Sequence, residues 1–321
     1  MTILMPYSTP TQIYLRGYYG YKNFGDELLF FGIIDRIANE YKTKNIYVEV
    51  GDITWMTKRV QKNKNLFTAK NIHLVEIKQH KRKWLTHIIN MLGFGKYKAY
   101  FKCFGGGEVL SDERPIPHDG RNIPLLFNAS VRKRNFALFG GIGKANKRYT
   151  HILYKYLLPK ARAIVARDKE SYKIAYKYNP KTYLHEDFAL EVLRNWNPKI
   201  PQQQIIPGEY ILVNLNSWVN SPENIQKIEA FCQNHPKAKK IFFASDKHDD
   251  MLCFENIQKI IPEIEIYDRT QHPLIETFNV LKYTKAGIWS RLHFLLALQY
   301  FSKPIEVIIY ADKIRKVILK K

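Results

Sequence analysis

Residues 12–41, QIYLRGYYGYKNFGDELLFFGIIDRIANEY, pass from a short strand-like run through a glycine-punctuated turn into a stretch whose apolar positions recur at helical spacing. Strand, turn and helix in that order form the opening half of a βαβ unit, and the rest of the chain repeats it. Candidate strands follow at NIYVEV, NIHLVEI, YKAYFKCF, NFALFG, RAIVAR and KTYLHED. Residues 196–207, inside NWNPKIPQQQIIPG, are rich in proline and glutamine and carry no period, which marks a linker. The alternation then restarts with EYILVNL, the helical SPENIQKIEAFCQN, KKIFFAS, EIEIYD, KAGIW and PIEVIIY. The expectation is an α/β protein of two Rossmann-like domains, residues 1–195 and 208–321, with a cleft between them.

The composition suits that reading. A chain of 321 residues with 45% apolar content can bury two cores without covalent staples. Cys103, Cys232 and Cys253 lie far apart and show neither disulfide-framework nor zinc spacing, which fits a reducing cytoplasm. The first residues, MTILMPYSTPTQIYLRGYYG, predict neither a signal peptide nor a membrane anchor, and no run reaches the roughly 20 apolar residues of a membrane span. An excess of 51 Lys and Arg over 29 Asp and Glu, a formal +22, attracts polyanions and anionic lipid headgroups without naming one. No helix-turn-helix, zinc module or RNP pattern accompanies it, so nucleic acid is not an expected partner.

In open α/β sheets ligands sit beyond the carboxyl ends of strands, so the strand-to-helix junctions are where chemistry is sought. At the first, Gly17 to Glu27, glycines including Gly20 let backbone approach a ligand, Asn23 joins the turn, and Asp26 is placed as N-cap. The runs Gly105-Gly106-Gly107 and Gly140-Gly141-Ile142-Gly143 follow strand patterns and read either as amide-lined anion loops or as turns needing positive φ. No Walker lysine follows them, which argues against nucleoside triphosphate hydrolysis. At Ala166-Arg167-Asp168, Arg167 is placed to grip a carboxylate or phosphate, or else to form a surface ion pair. At Ser290-Arg291-Leu292-His293, with Ser290 read as N-cap, Arg291 and His293 fall in the first helical turn: an anion site holding a titratable group. Lys313, in Tyr310-Ala311-Asp312-Lys313, reaches the same anion or is solvated surface.

Taken in order, GYYGYKNFGDE, FGGG, FGGIG, ARDKES, HEDFAL, SRLH and YADK resemble the polysaccharide pyruvyltransferase family over residues 13–313. That resemblance implies a fold similar to the GT-B glycosyltransferases, phosphoenolpyruvate as donor, a sugar of a cell-surface glycan as acceptor, and a pyruvate ketal as product. It places phosphoenolpyruvate between Arg167 of the first domain and Arg291, His293 and Lys313 of the second, with His293 as general acid and base, the first domain being the expected acceptor side and the second the expected phosphoenolpyruvate side. Asp26 or Asp187 is the candidate to deprotonate the acceptor, and Gly20, Asn23, Gly106 and Gly107 are candidate substrate contacts. The chemistry requires neither metal nor organic cofactor.

Residues Lys78 to Lys102 join a basic cluster to Trp84, Leu85, Ile88, Ile89 and Leu92 at helical spacing, which reads as an interfacial helix or a core-packed one. Because acceptors of the resembled family are often lipid-linked, the first reading means docking at the inner membrane face. Acceptor choice is expected from residues 51–65 and 108–125, with Trp55, Asp112, His118 and Arg121. The rival enzyme is a GT-B glycosyltransferase using a nucleotide sugar, since one architecture serves both chemistries.

Overall fold

The computed structural model describes residues 10, 12–42, 45–76, 101–112 and 136–309. The chain divides into two compact units, Met1–Tyr21 with Asp26–Glu191, and Lys22–Gly25 with Val192–Lys321.

In the first unit, strands β1 (Gln12–Arg16), β2 (Asn45–Val50), β3 (Ile72–Glu76), β4 (Phe101–Leu110), β5 (Phe136–Ile142), β6 (Ala163–Ala166) and β7 (Thr182–Leu184) lie in the order β3-β2-β1-β4-β5-β6-β7. Every pairing is parallel. The intervening helices are α1 (Phe24–Tyr41), α2 (Ile53–Lys62), α3 (Arg148–Leu157), α4 (Lys169–Tyr176) and α5 (Phe188–Trp196), of which the first two residues of α1 and the last five of α5 group with the second unit. Strands β5 and β6 are buried along their whole length, the mark of a parallel sheet covered on both faces. Phe104, Leu138, Tyr154, Leu157 and Ile164 belong to one core cluster.

The second unit repeats the plan with strands β8 (Tyr210–Val213), β9 (Lys239–Ala244), β10 (Glu265–Asp268), β11 (Ala286–Trp289) and β12 (Ile305–Val307), in the order β10-β9-β8-β11-β12 and all parallel. Its helices are α6 (Pro222–Gln233), α7 (Lys247–Gln258), α8 (Leu274–Tyr283) and α9 (Leu292–Tyr300). Ser221 caps α6 by accepting from the Asn224 N–H, with Pro222 at the first helical position where its missing N–H costs nothing. Ile211, Val213, Phe231, Phe242, Ile257 and Ile288 share the second core.

Several local readings are revised. The glycine runs are not loops after strands: Gly105, Gly106 and Gly107 lie inside β4, and Gly140 and Gly141 inside β5. The two runs pair with each other, Gly106 opposite Gly140 and Glu108 opposite Gly141, across an irregular register. Gly106 and Gly140 sit at φ 146° and 142°, and a side chain at Gly140 would collide with the Gly106 carbonyl. Glycine therefore lets the strands continue through a distortion where other residues would have ended them.

Helix α1 starts at Phe24, and Asn23 Oδ1 accepts the Gly25 N–H at 3.0 Å, so Asn23 performs the capping expected of Asp26. The expected linker is packed onto the second unit: Trp196 is buried against Phe278, Ile200 is buried, and Asn279 donates to the Pro201 carbonyl at 2.9 Å. Residues 51–65 mostly form α2, whose N-cap Asp52 accepts the Trp55 N–H. Trp55 lies against the Arg59 guanidinium, which pairs with buried Glu27 at 2.8 Å. His118, Arg121, Lys313 and nearly all of the basic segment 78–102 lie outside the described residues.

Asp112, just past the end of β4, ties that strand to the start of α3. It accepts the Lys147 N–H at 2.7 Å and the Asn146 amide at 3.0 Å. Burial works against its charged form, but bonds from Lys147, Thr150 and Asn146 outweigh it and hold the carboxyl below its ordinary 3.8. A depressed carboxylate contributes stability above the unfolded value and loses it as pH falls through the folded one. Asp112→Asn is expected to cost about 1–2 kcal/mol at pH 7. Thermal unfolding followed from pH 7 to pH 3 should show the gap to wild type closing only below the ordinary value of 3.8.

Candidate active site

In the first unit the buried strand β6 delivers Arg167 at its carboxyl end, and Asp168 begins α4. Asp168 caps that helix through the Ser171 N–H at 2.8 Å and the Ser171 hydroxyl at 2.9 Å. The Arg167 side chain is 8% exposed, and its nearest carboxylate oxygens, on Asp168 and Asp187, stand 3.6 and 3.7 Å away. Those separations exceed the roughly 2.7–2.9 Å of a charge-assisted hydrogen bond. Asp187 is itself occupied, accepting the Ala189 N–H at 2.9 Å in the first turn of α5. The Arg167 side chain is thus nearly buried and loosely paired, while its backbone N–H donates to the Gly140 carbonyl at 3.3 Å.

The glycine strands make its seat. A Cβ at Gly141 would stand 3.0 Å from Arg167 Nε and 3.2 Å from Nη2, and one at Gly107 would stand 3.4 Å from Nη1. Gly106, by contrast, has open space where a side chain would be. Gly20, at φ 78° in the turn after β1, carries a carbonyl that accepts the Asp52 N–H at 3.1 Å, tying the turn to the start of α2. Asp26 lies half-buried in the first turn of α1.

In the second unit β11 ends at Trp289, and α9 begins at Leu292 with Arg291, not Ser290, at the N-cap position. Ser290 is drawn across the sheet: its Oγ accepts the Asn216 N–H at 3.0 Å and the Asn216 side-chain amide at 3.1 Å. No side chain caps α9, so its first N–H groups keep their affinity for an anion.

Arg291 is not the open cation its sequence setting suggested. It pairs with Asp249 at 2.6 Å and makes two hydrogen bonds to Asp250, a carboxylate buried at the start of α7. Burial alone would lower the Arg291 pKa, yet Asp250, Asp249 and Asp246 together raise it. Burial pushes Asp250 up, opposed by Arg291 and the Asp246 and Ser245 N–H groups. With two carboxylates on one guanidinium, the Arg291 charge is largely offset and its position is fixed.

The same unit brings the glycine motif to the histidine. A Cβ at Gly25 would fall 2.6 Å from His293 Cγ and 2.8 Å from Cε1, and closer still to Nδ1, so the imidazole occupies volume that only glycine leaves open. Beside it Phe24 stacks on Phe294, centroids 4.4 Å apart. Buried Arg269, at the end of β10, donates to the Lys22 carbonyl at 2.7 Å and the Ser245 carbonyl at 3.2 Å and lies over the Phe24 ring. Arg269, Asp249 and Asp250 were missed in the sequence. The junction SDKHDD after β9 was a signal of the kind used elsewhere; for Arg269 nothing in the spacing offered one.

The polysaccharide pyruvyl transferase family model matches residues 23–297. The chain belongs to that family. The matched span includes Asn23, Asp26, Gly106, Gly107, Arg167, Arg291 and His293, and leaves out Gly20 and Lys313. This pyruvyl transferase is an enzyme of polysaccharide biosynthesis, and no curated protein sequence matches it.

Its fold is shared with solved structures of low identity. UDP-bound MnaA of S. aureus superposes with a TM-score of 0.63 at 9% identity, covering 97% of this chain and 87% of that one. UDP-GlcNAc 2-epimerase of Neisseria meningitidis, bound to UDP-GlcNAc, gives 0.59 at 9% identity over 96% and 90%. The Methanocaldococcus jannaschii UDP-GlcNAc 2-epimerase gives 0.55 at 12% identity over 96% and 91%. These likenesses establish a GT-B-type fold. Among the described residues no helix is long and apolar enough to cross a membrane, and no cluster of three or more His, Cys, Asp or Glu could hold a metal ion.

Two substitutions test the histidine seat. Gly25→Ala should displace the His293 ring and cut turnover by about 100-fold, as misplacement of a reacting group by about 1 Å does. Arg269→Met, which removes the guanidinium donor from the Lys22 carbonyl and leaves the Ser245 carbonyl with the Phe24 N–H, should cost about 1–3 kcal/mol in denaturant unfolding. Wild-type turnover in Gly25→Ala would sink the assignment of His293 to the chemistry.

Proposed function

We propose that this enzyme transfers the enolpyruvyl unit of phosphoenolpyruvate to a sugar as a pyruvate ketal, with release of phosphate. The observation carrying the reading is Arg167: a nearly buried guanidinium with only long ion contacts, seated on glycine strands at the mouth of a parallel sheet. Such a group recognises a compact, planar anion through paired hydrogen bonds. Phosphoenolpyruvate, with a carboxylate and a phosphate on one small frame, is of that class.

In the proposed reaction His293 gives a proton to the methylene carbon of the enol phosphate, making a methyl group and leaving the adjacent carbon electron-poor. A sugar hydroxyl adds there and releases its proton to a base, for which Asp26 is the candidate. The carbon–oxygen bond to phosphate then breaks, its electron pair leaving with phosphate, and a second sugar hydroxyl closes the ketal and gives up its proton. Arg167 stabilises charge on the donor, and Arg291, held by Asp249 and Asp250, orients the junction from which His293 works. Lys313 is carried as a further donor contact from the sequence resemblance alone. The acceptor is proposed to be a glycan or its lipid-linked precursor met in the cytoplasm; the described cysteines are unpaired and buried, which agrees with a reducing compartment.

Calorimetry with phosphoenolpyruvate should show binding to wild type, weakened by roughly 30-fold or more in Arg167→Gln. His293→Asn should retain binding while losing about 100-fold or more in turnover. UDP serves as control. Tight UDP binding with none of phosphoenolpyruvate would replace this reading with a nucleotide-sugar transferase.

A further inference from the structure

In the sheet of the second unit the strand order reverses between β8 and β11. Loops leaving the carboxyl ends of two such strands run in opposite directions and part to form a crevice, the usual place for a ligand in an open parallel sheet. The β11 side of this crevice carries Ser290, Arg291 and His293. The β8 side carries the short turn Ser217–Val219, with Trp218 at its centre.

Trp218 is 72% exposed, the most exposed large apolar side chain among the described residues. An indole in water is costly and uncommon, and here it is not the product of a loose loop. The Trp218 backbone N–H donates to Asn216 Oδ1 at 3.0 Å, and Asn216 in turn bonds the Ser290 hydroxyl. The Ser217 hydroxyl donates to Asp249, the carboxylate that pairs with Arg291. On the far side the Asn224 amide donates to the Val219 carbonyl at 2.9 Å. The groups that set Arg291 thus also fix the turn that holds the indole out of the core.

We propose that Trp218 is a sugar-stacking platform in the acceptor subsite, which puts this acceptor contact on the second unit and not on the first-domain side expected from the sequence: a pyranose ring lies with its C–H face on the indole and its hydroxyls toward the hydroxyl and carboxylate groups of Ser217 and Asp249, while buried Asn216 holds the turn from beneath. An aromatic face rimmed by polar side chains matches a sugar, which is apolar on its ring faces and polar round its edge. A lipid surface would call for a contiguous apolar patch instead. The identification of the sugar as the acceptor rests on the pyruvyl-transfer reading; the stacking itself does not.

The test uses the full chain with methyl β-galactoside, N-acetylglucosamine and N-acetylmannosamine as probes, phosphoenolpyruvate present throughout, and saturation-transfer NMR with fluorescence titration as readouts. At least one probe should bind wild type through its ring C–H protons. Trp218→Ala should weaken that binding about tenfold or more and Trp218→Phe should restore most of it, with phosphoenolpyruvate affinity equal in all three proteins. Sugar affinity unchanged in Trp218→Ala overturns the proposal, as does failure of wild type to bind any probe. Loss of phosphoenolpyruvate affinity along with sugar affinity also overturns it, in favour of a structural role for the turn. Trp218-dependent binding to anionic phospholipid vesicles without sugar binding overturns it in favour of a membrane contact. Trp218-dependent sugar binding in a wild type that ignores phosphoenolpyruvate leaves the platform standing and removes the pyruvyl-transfer reading.

Discussion

The imidazole of His293 stands where a side chain at Gly25 would have to be, and much of the second unit is arranged to keep that contact. Gly25 belongs to a four-residue segment, Lys22–Gly25, that groups with residues some 170 or more positions away in sequence rather than with its neighbours. Buried Arg269 holds the segment by its Lys22 carbonyl and supports the Phe24 ring, which stacks on Phe294 one residue beyond the histidine. Apolar stacking, a buried guanidinium and the missing Cβ all act on the same few ångströms. A ring so confined has little rotamer freedom left to lose.

The two arginines expected to share an anion are in different electrostatic states. Arg291 is bound to Asp249 and Asp250, so its charge is largely offset and its position is fixed. Arg167 has carboxylates within reach but none at hydrogen-bond distance, so more of its charge remains available. Seating a guanidinium that closely against the sheet is possible because β4 and β5 carry glycine there. The glycine runs thus act less as amide-lined loops than as floor space for a side chain delivered by β6.

Much of the fold was legible in order and spacing. Apolar runs such as AIVA, YILV and AGIW, with helical periods between them, located strands β6, β8 and β11 to within a residue or two, because burial on both faces of a parallel sheet leaves a local imprint. The junction residues Arg167, Arg291 and His293 were legible for the same reason: they follow strands. Less legible were the glycine runs, where composition suggested turns while cross-strand pairing of Gly106 with Gly140 kept the backbone extended. Helix starts went the same way: Asn23 caps α1 in place of Asp26, and α9 begins after Arg291 with no side-chain cap because Ser290 is engaged by Asn216.

By itself the sequence determined the alternation of strand and helix, the two-part α/β plan and the identity of the residues at the strand mouths. Each of these depends on propensity and periodicity over a few neighbouring positions. Only the tertiary structure decided the partners: Asp249 and Asp250 with Arg291 across 42 and 41 positions, and Lys22 with Arg269 across 247. The physical reason is that hydrogen bonds, ion pairs and excluded volume act through space. The distances that set charge and ring position here join residues of the second unit whose proximity exists only after its sheet has formed.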